Sequence, residues 1–277
     1  MSGGWPISQE LSNNQTVNYS TSTSFMGTLT ITTSSVNVKN AYTQLVSATA
    51  GDITWLEVLI TGNSPPINST LYTDVAIGGA GSEVVLLSNL TFGPGTTASN
   101  CGIKIAAPIA IPSGTRVAAR FALSSSTTTT TTQTPAIGLQ GYDSGFPGPT
   151  GFAGMEAVGQ TNGIGTIILT SGTANIKTAY IQLTASTGRD YAGFFLGTDG
   201  CIQSANFPTF LVDLAVGAGG SEKNILNTYL LRGNVTAPIS CSNLIMIPIP
   251  SGTRISARAQ SNQASSSYNL TLYGLYE

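Results

Sequence analysis

Histidine is absent from the 277-residue chain. Without an imidazole there is no Ser-His-Asp or Cys-His nucleophile pair, no His-ligated zinc and no ordinary acid/base near neutral pH. Charge is scarce too: 8% of residues are charged, against roughly 25% in an average soluble domain. The ten Lys and Arg are scattered and net charge is −2. No basic stripe can neutralise phosphates, so a nucleic-acid partner is not expected. Cysteine is limited to Cys101, Cys201 and Cys241. Three separated cysteines do not form a zinc knuckle. They read as free buried thiols, with a Cys201–Cys241 bridge as the alternative. No apolar run approaches the ~20 residues of a membrane span. The opening Met1-Ser2-Gly3-Gly4-Trp5-Pro6 lacks the basic flank and apolar centre of an export signal. The expectation is a soluble protein with no metal, no cofactor and no membrane partner.

What fills the chain is 41% apolar residues, enough for two cores, set among Ser, Thr, Gly and Asn. Such a surface suits a stable, weakly charged assembly. The dominant feature is a repeat. Ile111-Pro112-Ser113-Gly114-Thr115-Arg116-Val117-Ala118-Ala119-Arg120 returns, 138 positions on, as Ile249-Pro250-Ser251-Gly252-Thr253-Arg254-Ile255-Ser256-Ala257-Arg258, with eight of ten residues identical. One unit is used twice, so most recurring residues serve the architecture.

The matched segments read as strands. Residues 37–45 recur as 175–183. Ala41, Thr43 and Leu45 alternate as a strand would, although Val38, Tyr42 and Leu45 could also share a helical face. Residues 55–60 and 191–196 are apolar strands. In 71–77 and its partner 210–216, Leu71, Thr73, Val75 and Ile77, like Phe210, Val212, Leu214 and Val216, take the core face, while Asp74 and Asp213 point the other way. Gly-rich turns follow at 78–83 and 217–222, then strands at 84–87 and 225–231, 103–111 and 244–249. In the repeated motif Pro112 is expected at a turn's second position and Gly114 at its last. Val117, Ala119, Phe121 and Leu123 then face in, and Arg116, Ala118 and Arg120 face out. Strands at 136–142 and 268–276 close the halves. About eight short strands per half and no convincing long helix predict an all-β protein: two tandem β-sandwich domains of jelly-roll type, with an immunoglobulin-like sandwich as runner-up. The expected boundaries are an N-terminal arm 1–26, domains 27–143 and 156–277, and a Gly/Pro-rich linker 144–155.

Chemistry has few candidates. A carboxylate-pair glycosidase could use Asp74 with Glu83, or Asp213 with Glu222, but their recurrence in both halves argues for structural ion pairs. Twelve of the 22 charged residues fall in matched pairs: Lys39/Lys177, Asp52/Asp190, Asp74/Asp213, Glu83/Glu222, Arg116/Arg254 and Arg120/Arg258. The expectation is therefore no catalytic, cofactor-binding or metal-binding residues. Glycan recognition would fall on loops 197–208 or 124–134, with Phe207 and Phe210 as the nearest aromatics.

Asp-[Val/Leu]-Ala-[Ile/Val]-Gly-x-x-Gly-Ser-Glu, followed by Ile-Pro-Ser-Gly-Thr-Arg-x-x-Ala-Arg, resembles segments in structural proteins of tailed-bacteriophage particles. The resemblance covers both halves. It implies a non-enzymatic virion component made in the host cytoplasm, such as a capsid decoration or cement protein. Such a protein would bind the major capsid protein or other virion subunits and form a homo-oligomer. Two fused jelly rolls also resemble double jelly-roll major capsid proteins, and a tail or particle-surface module binding host glycan is a further alternative. Neither viral family contributes catalytic residues.

Overall fold

Strands form where β-branched, aromatic and aliphatic residues cluster between Gly, Pro, Ser and Asn. The computed structural model describes residues 15–17, 27–28, 31–32, 36–62, 71–92, 103–123, 132–133, 135–142, 151–158, 167–170, 172–198, 209–232, 239–240 and 242–277. Among these the protein is all-β, with no helix. The first half holds β1 (Gln15–Val17), β2 (Gly27–Thr28), β3 (Ile31–Thr32), β4 (Thr43–Val46), β5 (Trp55–Gly62), β6 (Leu71–Ile77), β7 (Val84–Phe92), β8 (Ile103–Ala107), β9 (Val117–Leu123), β10 (Thr132–Gln133) and β11 (Pro135–Tyr142). The second holds β12 (Gly154–Val158), β13 (Ile167–Thr170), β14 (Ile181–Thr184), β15 (Gly193–Thr198), β16 (Thr209–Val216), β17 (Lys223–Arg232), β18 (Ile239–Ser240), β19 (Ile255–Ser261) and β20 (Ser267–Tyr276).

In the first half β1 and β2 both pair with β11, then β5 and β8 follow, all antiparallel. A second layer runs β4-β9-β6-β7. Val58, Ile60 and Leu139 from one layer meet Leu45, Val75, Leu87 and Phe121 from the other in a single core. The second half has the same order. There β12 and β13 pair with β20, which pairs with β15, and Phe194 bridges to Ile245. The facing layer is β14-β19-β16-β17, and Phe194, Leu196 and Leu272 meet Phe210, Val212, Leu214 and Ile255. The inward sets expected for β6, β9 and β16 are found in these cores, with Ile77 and Val216 partly buried at the rim and Thr73 fully buried.

Three local expectations need correction. Within the 37–45 segment only residues 43–45 are strand, in a β4 that runs on to Val46, and Ala41 and Thr43 are exposed while Leu45 and Val46 are both buried. A β-bulge between Gln44 and Val46 breaks the period-two alternation. Segment 244–249 makes single bridges at Ile245 and Ile249 instead of a continuous strand, because the Ile247 amide turns back to the Ile245 carbonyl. The repeated turn is framed one residue later than expected. Thr253 N donates to Pro250 O, so the proline is its first residue. Gly252, at φ 79°, is its third, like Gly114 at φ 76°, a conformation that glycine adopts freely. Asp74 does point away from the core, as expected, and that far side of β6 is also covered: Tyr72, Asp74 and Ala76 are as buried as the core side.

The halves meet through a shared core. Layer β12-β20-β15 is buried on both faces. Leu270 and Leu272 enter the second core, whereas Tyr273, Leu275 and Phe195 enter the first. Within the same layer β12 pairs parallel to β7 at Met155↔Leu87, so one sheet crosses from half to half. Tyr273 Oη accepts from Thr91 N at 2.9 Å and lies 2.6 Å from Thr91 Oγ1. In the other layer β18 pairs parallel to β8. Residues 151–155, given to the linker by sequence, are built into this joint. Phe152 is buried and its amide donates to Pro108 O, while its carbonyl accepts from Ala110 N. Gly154 is there because a Cβ would sit 2.7 Å from Leu86 O and 2.4 Å from Tyr276 Oη. Gly154→Ala is expected to destabilise by about 1–3 kcal/mol, the usual range for overpacking, measurable as a lower urea midpoint.

Candidate functional site

The charged residues that recur between halves assemble into matched clusters. On β6, Asp74 faces away from the core, opposite Arg120 of β9 in the strand register. Its carboxylate accepts from Lys39 Nζ (2.9 Å), Arg120 Nε (2.8 Å) and Asn89 N (2.8 Å). The last amide is free because Asn89, at φ 49°, sits in a bulge of β7. Asp213 repeats every partner. Arg258 Nε and Thr228 N donate at 2.8 Å, Lys177 Nζ also donates, and Thr228 has φ 54°. Arg120 stacks over Tyr42 at 4.6 Å and Arg258 over Tyr180 at 4.5 Å.

The second carboxylate of each half anchors the Gly-rich turn. Arg116 Nη1 donates to Glu83 Oε1 (3.0 Å) and Gly78 O (3.0 Å), and Gly81 N donates to Glu83 Oε2 (2.9 Å). Arg254, Glu222, Gly217 and Gly220 do the same at 3.3, 2.9 and 2.9 Å. Asp52 and Asp190 accept from Ser113 N and Ser251 N at the repeated turn. Thr49 and Thr187 donate to Pro112 O and Pro250 O, each at 2.7 Å. All six charge pairs found in the sequence are thus accounted for as fixtures of turns and sheet faces.

Burial pushes the carboxyls of Asp74 and Asp213 up. Lys39 and the amide and Arg120 bonds at Asp74, and the Lys177, Thr228 and Arg258 bonds at Asp213, outweigh it and hold both below the usual range. Burial draws the Lys39 ammonium down, against the pull of Asp74. Glu83 is pushed up by desolvation but held low by its own amide, Arg116 and Gly81; Glu222 is held low by its own amide and by Gly220 and Arg254. A glycosidase needs one carboxyl kept protonated as general acid. Both members of the Asp74/Glu83 and Asp213/Glu222 candidates are instead held ionised. An open recess beside Asp74, lined by Asn37, Lys39, Ser88 and Arg120, offers no unengaged cation, since Lys39 and Arg120 are spent on Asp74. Among the described residues no group of three or more His, Cys, Asp or Glu could hold a metal, and no helix is long and apolar enough to cross a membrane.

Phe210, a nearest aromatic for glycan binding, is buried in the second core. Phe207, the three cysteines and most of loops 124–134 and 197–208 lie outside the described residues. One cluster escaped the sequence reading. Tyr191 Oη donates to Glu156 Oε1 at 2.5 Å, Arg189 Nε lies 3.4 Å from Glu156 Oε2, and Arg189 stacks over Tyr276 at 4.0 Å. Burial and the bond to Glu156 push the Tyr191 hydroxyl up. The cluster belongs to the second half alone: Gly51 and Ile53 stand where Arg189 and Tyr191 do, so pairing the repeats could not reveal it.

The pH response follows from these groups. A carboxyl whose folded pKa is depressed contributes stability above its unfolded value of about 3.9 and loses it as pH falls through the folded value. With no histidine to titrate, the melting temperature is expected to stay flat from about pH 5 to 8 and to fall steeply below about pH 4. Thermal melts across that range check it.

No protein-family model and no curated protein matches the chain. Solved structures are similar at low level. A chain of the T13 IBDV viral particle is 10% identical, with a TM-score of 0.28, over 82% of this chain and 56% of that one. Chains of infectious bursal disease virus strains Gx and Gt are 8% and 10% identical, with TM-scores of 0.26 and 0.23, over 85% and 82% of this chain. This chain spans a little over half the length of each.

Proposed function

We propose that this chain is a non-enzymatic virion structural protein: two fused jelly rolls that bind neighbouring capsid subunits and stabilise the shell, in the manner of a decoration or cement protein. Numbering the eight strand positions of each half in chain order, with β1/β2 and β12/β13 as the first, one layer runs 1-8-3-6 and the other 2-7-4-5. That order supports the jelly-roll reading, whose double Greek key is used by viral capsid domains and lectins alike. What favours the capsid role is where the charge goes. All twelve repeat-matched charged residues of a chain with only 22 are engaged in ion pairs or turn hydrogen bonds within the chain, which leaves ten for all the rest of it. The repeat and the resemblance of its motifs to tailed-phage structural segments point the same way. Mass spectrometry of purified particles is expected to find the chain in stoichiometric amount, and particles lacking it should break at lower temperature. A monomer absent from particles would overturn the proposal.

A second reading, a double jelly-roll major capsid protein, is favoured by the joint, where the two halves share a sheet and a core. Electron microscopy of the chain expressed alone separates the two. A shell builder forms closed particles by itself, and a decoration protein does not.

A further inference from the structure

The internal joint has a counterpart at the far end of the molecule. In the first half, the open end of the sandwich at β7 and β8 is covered by layer β12-β20-β15. Leu86, Leu87, Leu90, Thr91, Ala107 and Ile109 are consequently buried, none more than 4% exposed. The second half keeps the same backbone there. Ile225, Leu226, Tyr229, Leu230, Ile245 and Ile247 take those six places, as the matched pairings Val75↔Leu87 with Leu214↔Leu226 and Leu56↔Ala107 with Phe194↔Ile245 fix. These residues are apolar and only partly covered. Leu230 is 63% exposed, Met246 beside them is 46% exposed, and the remaining five are partly exposed. Strand β17 ends its sheet among the described strands, so the edge by which β7 grips β12 has no described partner on β17. An exposed apolar sheet edge is a docking surface or an aggregation hazard.

The first half carries the topological counterpart of that covering layer. Strands β1, β11 and β5 occupy the places of β12, β20 and β15, and β1 is the terminal strand of its sheet. The outer face of this layer is only partly covered at Glu57, Leu59 and Ala106, whereas Phe195, which stands where Glu57 does, is buried in the joint.

We infer that a second copy of this chain docks head to tail, its β1-β11-β5 layer closing the β17 end as β12-β20-β15 closes the β7 end within one chain. The contact is heterologous, so it propagates from copy to copy until it closes into a ring or continues as a filament. It does not depend on the capsid reading, because it follows from the repeat and the joint alone.

Two substitutions test it: Leu230→Asp on the β17 edge and Leu59→Asp on the outer face of β5, each checked for native circular dichroism and melting. By light scattering after size exclusion, the wild type is expected to run as an oligomer of its 28.4 kDa chain, and each variant as a monomer. Mixed one to one, the variants should form a two-chain species and stop. The Leu230→Asp chain retains an intact head layer, and the Leu59→Asp chain an intact tail edge. A monomeric wild type, a mixture that stays monomeric, or a Leu59→Asp variant as large as wild type would each overturn the inference. The last result would point to symmetric β17–β17 pairing.

Discussion

Tyr273→Ala is expected to weaken the whole protein by about 3–5 kcal/mol, the range for removing a large buried aromatic side chain, and to do so in both halves at once. Tyr273 is fully buried and stands on β20 of the second half, but its ring packs in the core of the first. Its hydroxyl also bonds the amide and hydroxyl of buried Thr91. The milder Tyr273→Phe keeps the ring and leaves Thr91 N unpaired, at about 1–3 kcal/mol, the desolvation penalty of an orphaned buried donor. Chemical denaturation should show one transition moving to lower urea in both variants. Two separated transitions, with only one displaced, would mean that the halves fold independently.

Asp213→Ala is the second large effect, about 3–5 kcal/mol, as when one member of a buried ion pair is removed. The Asp213 side chain is 1% exposed and gathers Lys177, Arg258 and the Thr228 amide, so its loss strands two cations and a bulge N–H. The lower end of the range is expected because Arg258 is 31% exposed and can turn to water. Asp74→Ala should cost a similar amount, since its partners are the same three kinds of group. Near-neutral results at both positions would show that water resolvates the stranded cations and that the carboxylates contribute nothing net.

Much of the fold was legible in the sequence because the repeat provided two readings of each element. A strand pattern ambiguous in one copy was settled by the other, as with Thr73 and Val212. The same comparison picked out the charged residues that later proved to be clustered. What it could not reveal is whatever the copies do not share. The Glu156–Tyr191–Arg189 group rests on residues that only the second half has, and the burial of both faces of β20 arises from contacts between halves; a repeat records only what both copies hold. The turn at Pro112 was misframed for a different reason: proline suits two positions of such a turn, and the choice is made by Thr49, 63 residues away. Likewise the bulges at Asn89 and Thr228 have no sequence mark, since neither residue is glycine.

Strand β20 contributes to both cores, and it leaves the ribosome after every other described strand. Domains commonly fold in order of synthesis, each as a unit. Here the first half cannot complete its core until Tyr273 and Leu275 arrive, some 180 residues after Thr91. Completion of the first half is therefore postponed until β20 has emerged and is governed by very distant contacts, a slow regime. Until then the apolar end of the first half stands open, and the nascent chain is a natural client for a holding chaperone.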